Sequence, residues 1–164
     1  MSAPLLVADS GPLIALARLN LLSLPVALFD DLLVTATVWH EVSRYPREAD
    51  RAALSAAFER GLVSVVDDPA QLPAHPYDPQ LDQGERSALA LALDRGAVVL
   101  IDERRGRAAA AALGLPVIGT LGLLVRAHSQ GLIAQIRPLA VTLMASGYFL
   151  TPALVERALA SIGE

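Results

Sequence analysis

Two uninterrupted apolar runs, each closed by an aspartate, restrict this chain more than any other feature. Leu5, Leu6, Val7 and Ala8 lead into Asp9, and Val98, Val99, Leu100 and Ile101 lead into Asp102. A short apolar run without polar alternation reads as a strand buried on both faces, the habit of parallel sheets. A helical stretch follows each acid. After Asp9, Ser10 or Gly11 can cap that helix, and Pro12 suits its first turn, where no amide hydrogen is needed. Both acids then stand at carboxyl ends of strands, where open α/β sheets keep their ligand crevice. The two strands are expected to be parallel neighbours flanking the switch point. Alone, Asp9 reads equally well as one more helix cap. Its recurrence at Asp102 is what lifts it.

The remaining sequence alternates in the same way. Strands are expected over 5–8, 32–35, 62–66, 98–101 and 116–118. Helices are expected over 12–19, 21–29, 37–44 with Thr37 as cap, 47–60, 87–94, 104–113, 120–129 with Thr120 as cap, 136–144 and 151–161. Asp82, Gln83, Gly84 and Glu85 open the fifth of these helices, and the proline-rich segment 67–81 reads as a loop. This order predicts an α/β fold, a three-layer sandwich around a mostly parallel sheet. With 164 residues, one domain over 1–164 is expected, its last part, 132–164, forming a C-terminal helical extension.

Composition excludes more than it selects. There is no cysteine, which removes disulfides and thiolate metal sites and fits a reducing cytoplasm. No basic region precedes a long apolar core at the N-terminus, so no secretory signal is expected. A net charge of -4 argues against broad coating of nucleic acid, but leaves room for a local basic rim beside an acidic site. The 13 basic residues are all arginine, which suits bidentate phosphate contacts. The hydrophobic content of 54% raises a membrane reading. The longest uncharged stretches, 108–125 and 138–155, are broken by glycine and proline and read as a helix end, a strand and a helix start in series. The same apolarity, over 13–29 and after Gly131, predicts a homodimer.

Four acids fall at element ends or first turns: Asp9, Glu41, Glu85 and Asp102. Hard divalent cations favour carboxylate oxygens and keep several waters and a substrate phosphate. Converging at one sheet edge, these acids would hold such an ion and activate water for phosphodiester hydrolysis. Each acid also has a plainer explanation. Glu41 fits a solvated helix surface, Glu85 fits a capping box with Asp82 three residues earlier, and Glu103 competes with Asp102 for the ligand role.

Residues Ala8 to Leu16 (Ala-Asp-Ser-Gly-Pro-Leu-Ile-Ala-Leu) resemble the opening of PIN-domain proteins, most closely a branch of VapC-like toxin components. The strings from Leu81 to Ala88, from Leu100 to Arg107 and from Gly119 to Leu124 fit the same branch, in order and spacing. The resemblance runs to about Ile133 and leaves the last helices beyond the common core. It implies a PIN-like fold and a Mg²⁺- or Mn²⁺-dependent ribonuclease. Asp9, Glu41, Glu85 and Asp102 would match the four family acids, and Ser10 the small polar residue that supports the first. The third acid departs from many relatives, which carry an aspartate deeper along the chain, and Asp82 competes for its role.

Arg104, Arg105 and Arg107 follow Asp102 directly and fit either an RNA-phosphate rim or a charged helix face. His40, beside Glu41, fits a general base or a surface histidine. His75 and His128 share no zinc spacing with it, and Gly84 and Gly106 belong to no phosphate-cradling loop. Two functions remain. One is an endoribonuclease acting as the toxin of a type II toxin–antitoxin pair, with RNA as substrate and a cognate antitoxin as partner. The other is a catalytically silent binding module acting through protein contacts. A flap-type DNA nuclease would want a larger basic surface than this chain carries.

Overall fold

In the computed structural model, which describes residues 3–69 and 80–164, five strands form one sheet. They are β1 (Leu6–Ala8), β2 (Leu32–Thr35), β3 (Ser64–Val66), β4 (Val98–Leu100) and β5 (Val117–Ile118). Their order is β3-β2-β1-β4-β5 and every pairing is parallel. The chain therefore builds one flank outward from β1 and then returns to the other side with β4 and β5. Leu6 lies opposite Val98 and Ala8 opposite Leu100, and the Asp9 amide donates to the Leu100 carbonyl at 3.0 Å. Asp9 and Asp102 thus leave the sheet at one edge, on either side of the switch point, as their two apolar runs predict.

Strand alternation divides the interior in two. Leu6, Ala8, Leu32, Val34 and Leu100 face one layer of helices, while Val7, Leu33, Val99 and Ile101 face the other. The first layer takes α1 (Ser10–Arg18), α2 (Leu24–Leu28), α3 (Ala36–Ser43), α4 (Glu48–Glu59), α7 (Thr120–Ser129), α8 (Arg137–Ala145) and α9 (Pro152–Ile162). The second takes α5 (Gln83–Arg95) and α6 (Arg104–Ala112). The central strands are buried and the edge strands β3 and β5 are half-buried, so the apolar runs mark the middle of the sheet.

Three local expectations need correction. The third expected helix does not start at Thr37: Thr35, the last residue of β2, caps α3, its Oγ1 accepting from the Val38 amide at 3.1 Å. Strand passes into helix without a loop there, so the cap is the strand's own end, and Thr37 bonds Asp68 instead. The second helix is limited to Leu24–Leu28, because Asn20 turns the chain at φ 55° and Pro25 fixes the first turn. Thr120 does not cap α7; Gly119 holds that position and Thr120 is the first helical residue.

The apolar stretch 13–29 is largely consumed by the core. Pro12 to Ala17, Leu22, Leu24, Leu28 and Phe29 are all buried. Large exposed apolar side chains lie mostly later, at Leu132, Val141, Met144, Phe149 and Leu154. Among the described residues, no helix is long and apolar enough to cross a membrane. The stretch 108–125 divides among α6, β5 and α7, and 138–155 divides between α8 and α9. Most of the proline segment, with His75, lies outside the described residues.

Candidate active site

Asp9 occupies the N-cap position of α1 in extended conformation, yet its carboxylate makes no cap bond. The side chain is buried, and its Oδ1 has no hydrogen-bond partner. Burial raises the cost of its charge, and Asp82, Glu85 and Glu41 add repulsion against the help of the Ser10 amide. The carboxyl is pushed up to about 7. An aspartate kept in this way is not serving as a cap. Ser10 reaches two of the acids: its amide helps Asp9, and its hydroxyl, together with the Gly84 amide, lowers the pKa of Glu41. Desolvation and Asp82 outweigh them, so Glu41 still titrates above the usual carboxylate range.

Glu41 reaches the site from α3 because Gly84 has no side chain. A Cβ at position 84 would lie 2.6 Å from both Glu41 carboxylate oxygens. The two helices are also tied to each other. The Ser87 hydroxyl donates to the Gly84 carbonyl at 2.8 Å, so the 2.7 Å contact between Ser87 and Thr35 has Thr35 as donor. Thr35 thereby fixes the start of α3 through Val38 and the start of α5 through Ser87.

Glu85 and Asp82 form the capping box that their spacing allows. Asp82 Oδ1 accepts from the Glu85 amide at 2.7 Å, and Glu85 Oε2 accepts from the Asp82 amide at 3.0 Å. Glu85 is nonetheless buried beside the other acids. Desolvation, then Asp82, Glu103 and Glu41, raise its pKa against the help of the Asp82 amide. Glu103 caps α6, its Oε2 accepting from the Arg105 and Gly106 amides at 2.7 and 3.0 Å. Gly106 lets that helix lie close to the sheet edge, since a Cβ there would meet Ile101 Cδ1 at 2.2 Å.

Asp102 is held differently. Its Oδ1 accepts from the Thr120 amide at 2.7 Å, and its Oδ2 accepts from the Thr120 hydroxyl at 2.5 Å and from the Tyr148 hydroxyl. Thr120 is thus a partner of the acid rather than a helix cap. Tyr148 is half-buried; burial and the Asp102 charge, with a smaller push from Asp9, keep its hydroxyl firmly protonated. Tyr148 therefore senses both strand-end acids. Neither residue is marked by local sequence pattern: Thr120 is 18 and Tyr148 is 46 positions from Asp102.

The arginines after Asp102 are exposed on α6. Arg105 bonds Gln80. Arg107 borders the site, because a Cβ at Gly119 would lie 2.5 Å from its Nη1 and 3.0 Å from Asp102 Oδ1. His40 is exposed on α3, and His128 is half-buried in α7.

An all-oxygen donor set with an orphaned, buried carboxylate oxygen fits a hard divalent cation. Asp9, Glu41, Glu85 and Asp102 are the residues that would hold it. Among the described residues, no three acids or histidines are gathered closely enough to grip an ion as they lie. Burial first, and the neighbouring acids after it, raise the Asp9, Glu41 and Glu85 carboxyl groups, so a cation would lower the cost of their charge.

A parallel sheet in this order, with acids at its switch point, defines an open α/β protein with its candidate site at the carboxyl ends of the strands. Residues 5–164 match the family described as PIN domain, and the chain belongs to that family, whose members are typically nucleases that use divalent metal ions. The match includes α8 and α9, so these helices fall within the family's extent. No curated protein matches. Among solved structures, a PilT N-terminus domain protein from the hyperthermophilic archaeon Sulfolobus solfataricus P2 has the same fold. It aligns at TM-score 0.58 and 19% identity, over 74% of this chain and 92% of that one.

Proposed function

We propose that this protein is a Mg²⁺- or Mn²⁺-dependent endoribonuclease, the toxin of a type II toxin–antitoxin pair, active as a homodimer until an antitoxin covers it. The observation that carries the catalytic part is Asp9: a buried carboxylate at a sheet switch point, with one oxygen unpartnered and three acids pressing on it. A fold has no reason to keep such a group unless something positive completes it. Bound there, a divalent cation supplies an activated water and neutralises charge at the scissile phosphate. Asp9 and Glu41 contribute oxygens from the first half of the chain, Glu85 and Asp102 from the second. The exposed guanidinium of Arg107, beside Asp102, suits a phosphate oxygen of the RNA.

Titration of Mn²⁺ into the wild type and into Asp9→Asn, alongside RNA cleavage assays, tests this reading. Asp9→Asn and Asp102→Asn each keep size and remove one charge, and each is expected to abolish cleavage while the protein stays folded. A wild type inert on RNA with both ions, once freed of any copurified antitoxin, would favour the silent binding module. Equal cleavage by wild type and Asp9→Asn would reveal a contaminating nuclease.

A further inference from the structure

We propose that Tyr148 is a positioning residue that presents Asp102 to the divalent cation, so that the helical extension α8–α9 completes the site. The inference rests on the metal-dependent reading above and goes beyond it by giving the extension a role.

A carboxylate offers about four lone-pair directions. On Asp102, two hydroxyls fill those of Oδ2, Thr120 at 2.5 Å and Tyr148, while the Thr120 amide takes one on Oδ1 at 2.7 Å. One direction on Oδ1 remains, which sets both the oxygen and the angle offered to a cation. Thr120 supplies its bonds from the helix after β5, as part of the sheet's own edge. The bond from Tyr148 comes from outside that unit.

The delivery of Tyr148 is built into the chain. α8 ends in a Schellman turn: the Gly147 amide donates to Met144 and the Tyr148 amide to Leu143, each at 3.1 Å, with Gly147 at φ +89°. The turn is anchored from the opposite side. Arg18 Nη1 donates to the Ser146 carbonyl at 3.3 Å and to its hydroxyl at 3.2 Å, and Asp50 holds the same guanidinium at 3.2 Å. Leu150 enters the core, and Phe149 between them points outward, 84% exposed. Tyr148 is thus clamped on both sides. Its hydroxyl lies over the first turn of α1, 3.4 Å from where a Gly11 Cβ would be.

Tyr148→Phe keeps the ring and deletes only the hydroxyl. The expected result is Mn²⁺ binding weakened about tenfold by calorimetry, the usual effect of losing a hydrogen bond that orients a ligand. RNA turnover should fall in kcat by a similar factor, with KM for RNA unchanged and thermal unfolding little altered. A residue that only filled space would show the opposite: Phe would bind Mn²⁺ like wild type and only Tyr148→Leu would lose affinity. That outcome overturns the inference and leaves the nuclease reading standing. If the wild type itself binds no Mn²⁺, the nuclease reading falls and takes the inference with it. Should Tyr148→Phe fail to fold, Gly147→Ala, which strains the delivering turn, decides: weakened Mn²⁺ binding is expected, and unchanged binding overturns the proposal.

Discussion

A carboxylate that loses more to burial than its hydrogen bonds return makes the folded state resist ionisation, and Asp9, with the Ser10 amide set against its burial and Oδ1 unpartnered, is in that position. Its folded carboxyl titrates near 7 against 3.8 for the free side chain, chiefly through burial. Because the folded value is raised, the protonated form favours folding. This stability is fully present below about pH 4, fades as pH climbs toward 7, and is gone above it. Glu41 and Glu85 are shifted in the same direction. Asp9→Asn removes the largest part of this slope. In chelator, the variant should melt above wild type at pH 8, by on the order of 4 kcal/mol at most, and near it at about pH 4. Melting curves across that range check the claim; a gap that does not change with pH would refute it. Added Mn²⁺ should reverse the order, stabilising wild type more than the variant.

At the scale of elements, the site depends on how closely α3 and α5 approach. Gly84→Ala would place a methyl 2.6 Å from both Glu41 oxygens and 2.9 Å from the carboxyl carbon. The carboxylate is the free end of a flexible side chain, so it should swing away before the helices part. The expected outcome is a melting temperature close to wild type with Mn²⁺ affinity at least about tenfold weaker. A large fall in stability would mean that the helices had moved instead. What the sequence made legible here follows one rule. The strands ending at Asp9 and Asp102 could be read because apolar run, acid and helix start are adjacent in the chain. The capping box at Asp82 and Glu85 was equally local. The role of Gly84 was missed because its purpose is a space used by a residue 43 positions away. Thr120 looked like a cap for the same reason: its acceptor, Asp102, lies 18 positions away, just past the end of β4. Tyr148 had only the helix-ending Gly147 to mark it, which locates a turn but not what the turn reaches. The start of α3 was misplaced because Thr35 serves both β2 and α3, and pattern alone favours a separate cap.

Among the described residues, half of the large exposed apolar side chains fall on the two terminal helices and the turn between them. The stretch 13–29 is absorbed inside, whereas Val141, Met144, Phe149 and Leu154 remain exposed on the two terminal helices and the turn between them. Phe149 is the extreme case at 84% exposure, an aromatic ring that a lone domain gains nothing by presenting to water. The homodimer proposed above should therefore form through α8, α9 and their connecting turn rather than through α1 and α2. Light scattering at about 10 µM is expected to give twice the monomer mass, and Phe149→Asp, by placing a charge in the centre of a two-fold contact, should give the monomer. Because Phe149 points away from the site while Tyr148 points into it, the monomeric variant should bind Mn²⁺ as tightly as wild type and melt at a similar temperature. A wild type that is monomeric at that concentration, or a Phe149→Asp protein that stays dimeric, would move the interface elsewhere. A monomer that also loses Mn²⁺ affinity would show that the contact across the two-fold axis holds the turn, and with it Tyr148, in place.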